Sequence, residues 1–159
     1  MKIKKPGHMK DDLVTARRSG VHGRGVFARR DIRRGKRIIE YTGQRISWQE
    51  AQDLPPLDPD DPHHTFFYSL DDGRVINAAV DGNEARWINH SCAPNCRTDE
   101  VNGRIYIYAL QRIKAGEELF YDYRLEPADK RTRALERLFA CHCGNAECRG
   151  TMLEARPEE

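Results

Sequence analysis

Apolar residues along this chain come in short bursts, and few bursts are long enough to make a helix. Weak alternation over 13–19 reads as a strand, and Gly20, Gly23 and Gly25 then punctuate a tight loop before Val26-Phe27-Ala28. Residues 37–41 (RIIEY) read as a strand ending at Thr42-Gly43. Further strands are predicted over 65–70, over 74–77 after the Asp72-Gly73 turn, over 104–110 after Asn102-Gly103, and over 118–123 after Ala115-Gly116. Ser47-Trp48-Gln49-Glu50 carries a serine N-cap with glutamate three residues on, but Pro55, Pro56, Pro59 and Pro62 stop any helix soon afterwards. Residues 128–140 place Ala134, Leu135, Leu138 and Phe139 on one helical face, with Pro127 near the start. Many short strands and little helix predict a β-rich α+β fold, not a doubly wound sheet.

Composition adds few surprises. A chain of 159 residues fits one domain with a single core, and 5 Phe, 6 Tyr and 2 Trp argue against disorder. No apolar run approaches the ~20 residues that cross a bilayer. The opening MKIKKPGHMKDD has no apolar stretch behind it, unlike a secretory signal. The expectation is a soluble, intracellular protein without a membrane partner, in cytoplasm, nucleus or a host cell.

Charge changes the picture more. Residues 1–37 carry thirteen Lys or Arg against three Asp, and residues 50–72 carry seven carboxylates with no Lys or Arg. Both segments read either as solvated surface or as function. The functional reading is an acidic rim for a basic partner and a basic arm, residues 1–12, able to touch phosphate.

Three of the five cysteines cluster as Cys141-His142-Cys143-Gly144-Asn145-Ala146-Glu147-Cys148. Three thiols within eight residues pair poorly as disulfides, and they suit zinc, with Gly144 letting the chain wrap the ion. Free buried thiols are the rival reading. A structural site needs a fourth ligand, for which Cys92 and Cys96 compete. His142 is awkward because both its neighbours are candidates themselves.

Three other segments hold candidate chemistry. Val21-His22-Gly23-Arg24-Gly25 lacks the third glycine and the βαβ setting of a dinucleotide fold. It leaves either an ordinary connection or a place where backbone approaches a ligand. Tyr121 and Tyr123 share one face of their strand, as a core pair or as a polar aromatic slot. Arg86-Trp87-Ile88-Asn89-His90-Ser91 is loop material, although His90 also reads as a satisfied structural histidine.

In their order and spacing, HGRGVFA, IIEYTG, RWINHSCAPNC, GEELFYDY and CHCGNAEC closely resemble the SET domain with its post-SET cysteine cluster, from about residue 13 to residue 153. The resemblance implies small curved sheets with a C-terminal pseudoknot, in which the NHS segment threads against the YDY strand. It divides the chain into a SET domain at 13–126, a helical linker at 127–140 and a post-SET zinc segment at 141–153. It implies an S-adenosylmethionine-dependent protein-lysine N-methyltransferase acting on a basic protein such as a histone, mainly mono- and dimethylating.

Roles follow from the same resemblance. His22, Gly23 and Arg24 would line the methionine end of the cofactor, Asn89 and His90 would hold it, and His142 would close over the adenine. Phe66 stands where relatives often carry a cofactor-contacting tyrosine, so a hydroxyl is missing there. Tyr41, Tyr68, Tyr121 and Tyr123 would line the lysine channel, with Tyr123 as catalytic tyrosine and Tyr121 limiting the degree of methylation. Cys92, Cys141, Cys143 and Cys148 would hold one structural zinc, leaving Cys96 outside. Two other readings compete: a silent SET-like peptide-binding module, and a small zinc-dependent nucleic-acid binder.

Overall fold

A hairpin opens the fold. Strands β1 (Val14–Arg18) and β2 (Arg24–Ala28) pair antiparallel from Val14↔Ala28 to Arg18↔Arg24, and Ser19 N–H donates to the Gly23 carbonyl to close the loop. The structure, a computed structural model, describes residues 13–61, 63–127 and 130–156. The basic arm at 1–12 and the first two residues of the helix expected over 128–140 lie outside the described residues.

Two three-stranded sheets follow. The first has the order β3 (Arg37–Tyr41), β9 (Arg104–Ala109), β8 (Cys96–Val101), and the second β4 (Gln44–Ile46), β6 (Val75–Asn77), β5 (Phe67–Ser69). In β9 the alternation works as the pattern requires: Ile105, Ile107 and Ala109 are buried, while Tyr106 and Tyr108 stay half-exposed on the other face. With Val26, Ile32, Ile113 and Leu119 they fill the main core.

The late part of the chain returns to the opening hairpin. Leu119 N–H donates to the Val26 carbonyl and Ala28 N–H to the Glu117 carbonyl, so residues 117–119 extend the β2 edge. Immediately afterwards β10 (Phe120–Tyr121) pairs in parallel with β7 (Asn89–His90), which follows a 3-10 turn at Glu84–Trp87. This two-residue pairing places the NHS and YDY segments side by side, as expected.

Several elements are shorter than the pattern suggests. The strand over 65–70 begins at Phe67, because the Phe66 carbonyl already accepts from Ala78 N–H and the Tyr41 hydroxyl. The strand over 118–123 stops at Tyr121: Tyr123 N–H turns to His90 Nδ1, and Arg124 adopts a left-handed φ of 47° with its N–H on the Asp122 carboxylate. Strand β8 had no apolar signal, since only Cys96 in CRTDEV is buried; its partner β9 and the left-handed Asn102-Gly103 turn impose it.

Helix α1 (Trp48–Asp53) starts at the expected Ser47 cap and ends at extended Leu54, before Pro55. Helix α2 (Arg133–Leu138) is capped by Thr132 and buries no residue. Its expected apolar face does not enter the core: Leu138 is 51% exposed and Leu135 and Phe139 are only half-buried. Among the described residues no helix is long and apolar enough to cross a membrane.

Candidate active site and zinc site

The four tyrosines come together from three strands and the segment that follows the last of them. Tyr41 ends β3, Tyr68 lies in β5, Tyr121 in β10 and Tyr123 just beyond. Ring centroids are 5.5 Å apart for Tyr41–Tyr68 and 4.9 Å for Tyr121–Tyr123. The Tyr41 hydroxyl donates to the Phe66 carbonyl at 3.0 Å, Tyr123 donates to the Ile88 carbonyl, and Tyr68 shares a 2.5 Å hydrogen bond with Thr98 Oγ1. The Tyr121 hydroxyl has no partner among the described residues, although the residue is buried. Desolvation holds all four phenols above the ordinary range, reinforced at Tyr41 and Tyr121 by neighbouring phenols and at Tyr123 by Glu118. They stay protonated at neutral pH, so the cluster is a slot of hydroxyls without a base.

Beside this slot the opening loop is held by side chains from far along the chain. Asn89 Nδ2 lies 3.0 Å from the carbonyls of His22 and Arg24 and from Glu118 Oε2. Glu118 also accepts from Ser19 Oγ at 2.7 and 3.0 Å, and that hydroxyl in turn accepts from Val21 N–H. Asn89 Oδ1 is left without a partner among the described residues. His22, Gly23 and Arg24 are exposed. Around them the rings of His22, His64, Phe66 and Trp87 form a chain of contacts with centroids 5.0–5.8 Å apart, and the Arg24 guanidinium sits 5.5 Å from the Trp87 ring. The result is an exposed rim with an unpartnered amide oxygen, a nearby guanidinium and aromatic walls. That chemistry suits a ligand with an amino-acid end and a flat base.

His90 is engaged inward. Its side chain is almost fully buried, Nδ1 accepts from Tyr123 N–H at 3.0 Å, and Nε2 lies 3.4 Å from Cys92 Sγ. With Nδ1 accepting, the ring proton sits on Nε2 and points at sulfur. Burial, only partly offset by Asp122, lowers the imidazole pKa to about 4 and keeps it neutral. The imidazole therefore joins the tyrosine slot to the cysteines, and only the His90 main chain remains for an outside ligand.

Sγ atoms of Cys92, Cys141, Cys143 and Cys148 all lie within 4.8 Å of one another, with Cys92 3.8 Å from Cys141 and 3.9 Å from Cys148. Tetrahedral zinc with Zn–S of ~2.3 Å needs sulfurs about 3.8 Å apart, so the donor set and its spacing fit the ion. Main-chain N–H groups of Cys143, Arg149 and Gly150 point at the sulfurs of Cys141, Cys92 and Cys148. Such donors stabilise thiolate. Against desolvation, the Asn145 N–H and neighbouring sulfurs lower the Cys143 thiol to about 6. Cys96 is elsewhere, 1% exposed in the core, where burial pushes its thiol up to about 12. His142 is exposed between two ligands and bonds to nothing among the described residues.

Sequence reasoning passed over several contributors. Asn95 acts as a surrogate strand, donating to the Glu118 carbonyl and accepting from Phe120 N–H, both at 2.8 Å. Arg149 grips Asp122 at 2.8 and 3.0 Å, tying the zinc loop to the segment that carries Tyr123. Ser19 and Glu118, 99 residues apart, had no local signal that would pair them.

Comparison with known proteins supplies the family. The family model described as SET domain matches residues 23–124. The chain is 38% identical over 142 residues to Histone-lysine N-methyltransferase 2B of Homo sapiens, covering 87% of this chain and 5% of that protein. It is 37% identical over 142 residues to Histone-lysine N-methyltransferase trithorax of Drosophila virilis, covering 87% and 4%. It is also 38% identical over 148 residues to Histone H3-lysine(4) N-trimethyltransferase ATX1 of Arabidopsis thaliana, covering 89% and 13%. The chain thus spans only a small part of the length of these relatives. Among solved structures it is similar to ctPRC2 in an autoinhibited conformation bound to S-adenosylmethionine, at 36% identity and TM-score 0.63 over 70% of this chain and 15% of that one. The matched segment covers well over half of the chain and carries Asn89 and all four tyrosines, and this chain belongs to the SET-domain family.

Proposed function

We propose that the protein is an S-adenosylmethionine-dependent protein-lysine N-methyltransferase. One observation carries the reading: four protonated phenols converge beside an exposed loop, His22 to Arg24, whose carbonyls are pinned by Asn89 while the Asn89 Oδ1 has no partner among the described residues. His22, Gly23, Arg24, Asn89, the His90 main chain, Phe66 and His142 would hold S-adenosylmethionine, which supplies a sulfonium methyl when bound. The chain's own work is alignment and exclusion of water. Tyr123 donates its proton to Ile88, so its oxygen is left to accept from a lysine amine and fix its direction. Desolvation by the aromatic walls favours the neutral amine, whose unperturbed pKa is ~10.4, and the same walls attract the methylated ammonium. No side chain of the slot serves as base, so the lysine proton leaves to solvent.

The substrate is a basic protein, histone or histone-like, modified mainly to mono- and dimethyl-lysine. Supporting this are the seven carboxylates of residues 50–72, on an insert that in SET domains commonly walls the peptide groove. Exposed charges attract over ~8 Å at physiological salt. Peptide KM should therefore rise with salt, and rise less once Asp53, Asp58, Asp60 and Asp61 become Asn.

Incubation with labelled S-adenosylmethionine and histone, followed by mass spectrometry, tests the activity. Label on lysine is the expected result. Cofactor binding without label on any basic protein would leave a silent peptide-binding module instead.

A further inference from the structure

We propose that the cleft between α2 and the zinc-binding loop is a docking surface for the phosphate backbone of nucleic acid. This open cleft of about 310 Å³ has Arg133, Arg137 and Arg149 in its walls and Ala140, Gly150 and Thr151 on its floor. Its one acid, Glu136, is already held between Arg131 at 2.8 Å and Arg156 at 2.7 Å. Arg149 is taken by Asp122. Arg133 and Arg137, one helical turn apart on α2 and both exposed, have no partner among the described residues. Five guanidiniums thus surround two carboxylates, and two of them are unpaired.

Arginine forks match phosphate and carboxylate alike, so the choice of partner rests on what else lines the cleft. The floor is small residues, with no aromatic or long aliphatic wall. Peptides draw affinity from buried apolar anchors, which this surface lacks, whereas a polyanion binds through charge and counterion release alone. The neighbourhood points the same way. The His63 ring meets Phe139 edge-on at 5.7 Å, bringing the acidic insert against the end of α2. A basic chain lying on nucleic acid would find both surfaces matched, its cations toward the insert and the phosphates toward the cleft.

The test is a titration of the zinc-loaded chain against a fluorescently labelled 20-base-pair DNA duplex, followed by anisotropy from low to physiological salt. It registers binding alone, so failure of the methyl-transfer reading would leave it intact. Each phosphate contact contributes ~0.9 to the slope of log affinity on log salt. R133Q/R137Q should therefore flatten the slope by about 1.8 and weaken binding several-fold, with zinc content and peptide methylation unchanged. R33Q/R34Q should keep the wild-type slope. If R133Q/R137Q loses zinc or helix, the charge-keeping R133K/R137K must bind with the wild-type slope while R137Q alone flattens it by half as much. No binding at low salt would overturn the proposal, as would an unchanged slope in R133Q/R137Q. Equal displacement of the duplex by polyglutamate of matched charge would assign the cleft to an acidic protein.

Discussion

Tyr123 donates its hydroxyl proton to the main-chain carbonyl of Ile88, the residue immediately before Asn89. That bond fixes the phenol against the segment that also anchors the opening loop, so one hydrogen bond sets the slot relative to the ligand rim. Tyr123→Phe removes the group that aligns an amine and leaves the packing in place. Turnover should fall ~10²-fold at every methylation level, the loss typical of a reacting group misplaced by about 1 Å, with KM for S-adenosylmethionine nearly unchanged. Because burial raises this phenol's pKa, kcat/KM should climb with pH toward the lysine range (~10.4), with no break from Tyr123 ionisation below pH ~10. A Phe variant with wild-type kcat would remove Tyr123 from the mechanism.

Tyr121 is a buried residue whose hydroxyl, unlike that of its neighbour Tyr123, has no protein partner among the described residues. That oxygen is available to a water or to the amine itself, in space a methylated lysine needs in order to turn. Wild-type product should be mainly mono- and dimethyl-lysine, and Tyr121→Phe should shift it toward di- and trimethyl-lysine with total turnover within ~3-fold. Mass spectra of one peptide product decide this. Abundant trimethylation by the unmutated chain would place the limit elsewhere.

The zinc assignment separates two cysteines four residues apart. Cys92→Ser should lose the metal and, with it, the post-SET segment's anchorage, seen as a lower Tm and faster proteolysis within 139–156. Cys96→Ser should keep one zinc per chain. It should still destabilise by ~1–3 kcal/mol, because a smaller and more strongly hydrated hydroxyl replaces a thiol packed in the core. Metal analysis of both variants is sufficient, and the reverse pattern would transfer the fourth ligand to Cys96.

Much of this was legible because certain segments carry their own geometry. The Ser47 cap, the Asn102-Gly103 turn and the alternation of β9 are local signals, and the fold uses them as written. C-x-C-x4-C favours a metal over free thiols by its spacing, and the fourth sulfur that the fold brings in fits that reading. What escaped is what depends on contacts across the chain. Strand β8 is polar and exists because β9 pairs with it, and α2 has a helical pattern whose apolar face found no core to enter. His90 was readable as a ligand-site residue, but nothing local shows its imidazole turning inward between Tyr123 and Cys92.

The Glu118 carboxylate offers the sharpest test of how the opening loop is built. It accepts from Ser19 and from Asn89, and the latter reaches the His22 and Arg24 carbonyls. A methyl group on Gly25 would stand 2.5 Å from Glu118 Oε2, so Gly25→Ala must push the carboxylate off these partners. Glu118→Gln keeps the shape and one accepting oxygen and should raise KM for S-adenosylmethionine about 3- to 10-fold, roughly one ordinary hydrogen bond. Glu118→Ala should raise it about 10²-fold by freeing both donors. Gly25→Ala should resemble Glu118→Ala, because both leave Ser19 and Asn89 without the carboxylate. If the shared carboxylate is the reason, the double variant should be no worse than the worse single, a coupling of the sign expected for residues acting through one group. Additive losses in the double variant would show that Gly25 and Glu118 support the loop independently.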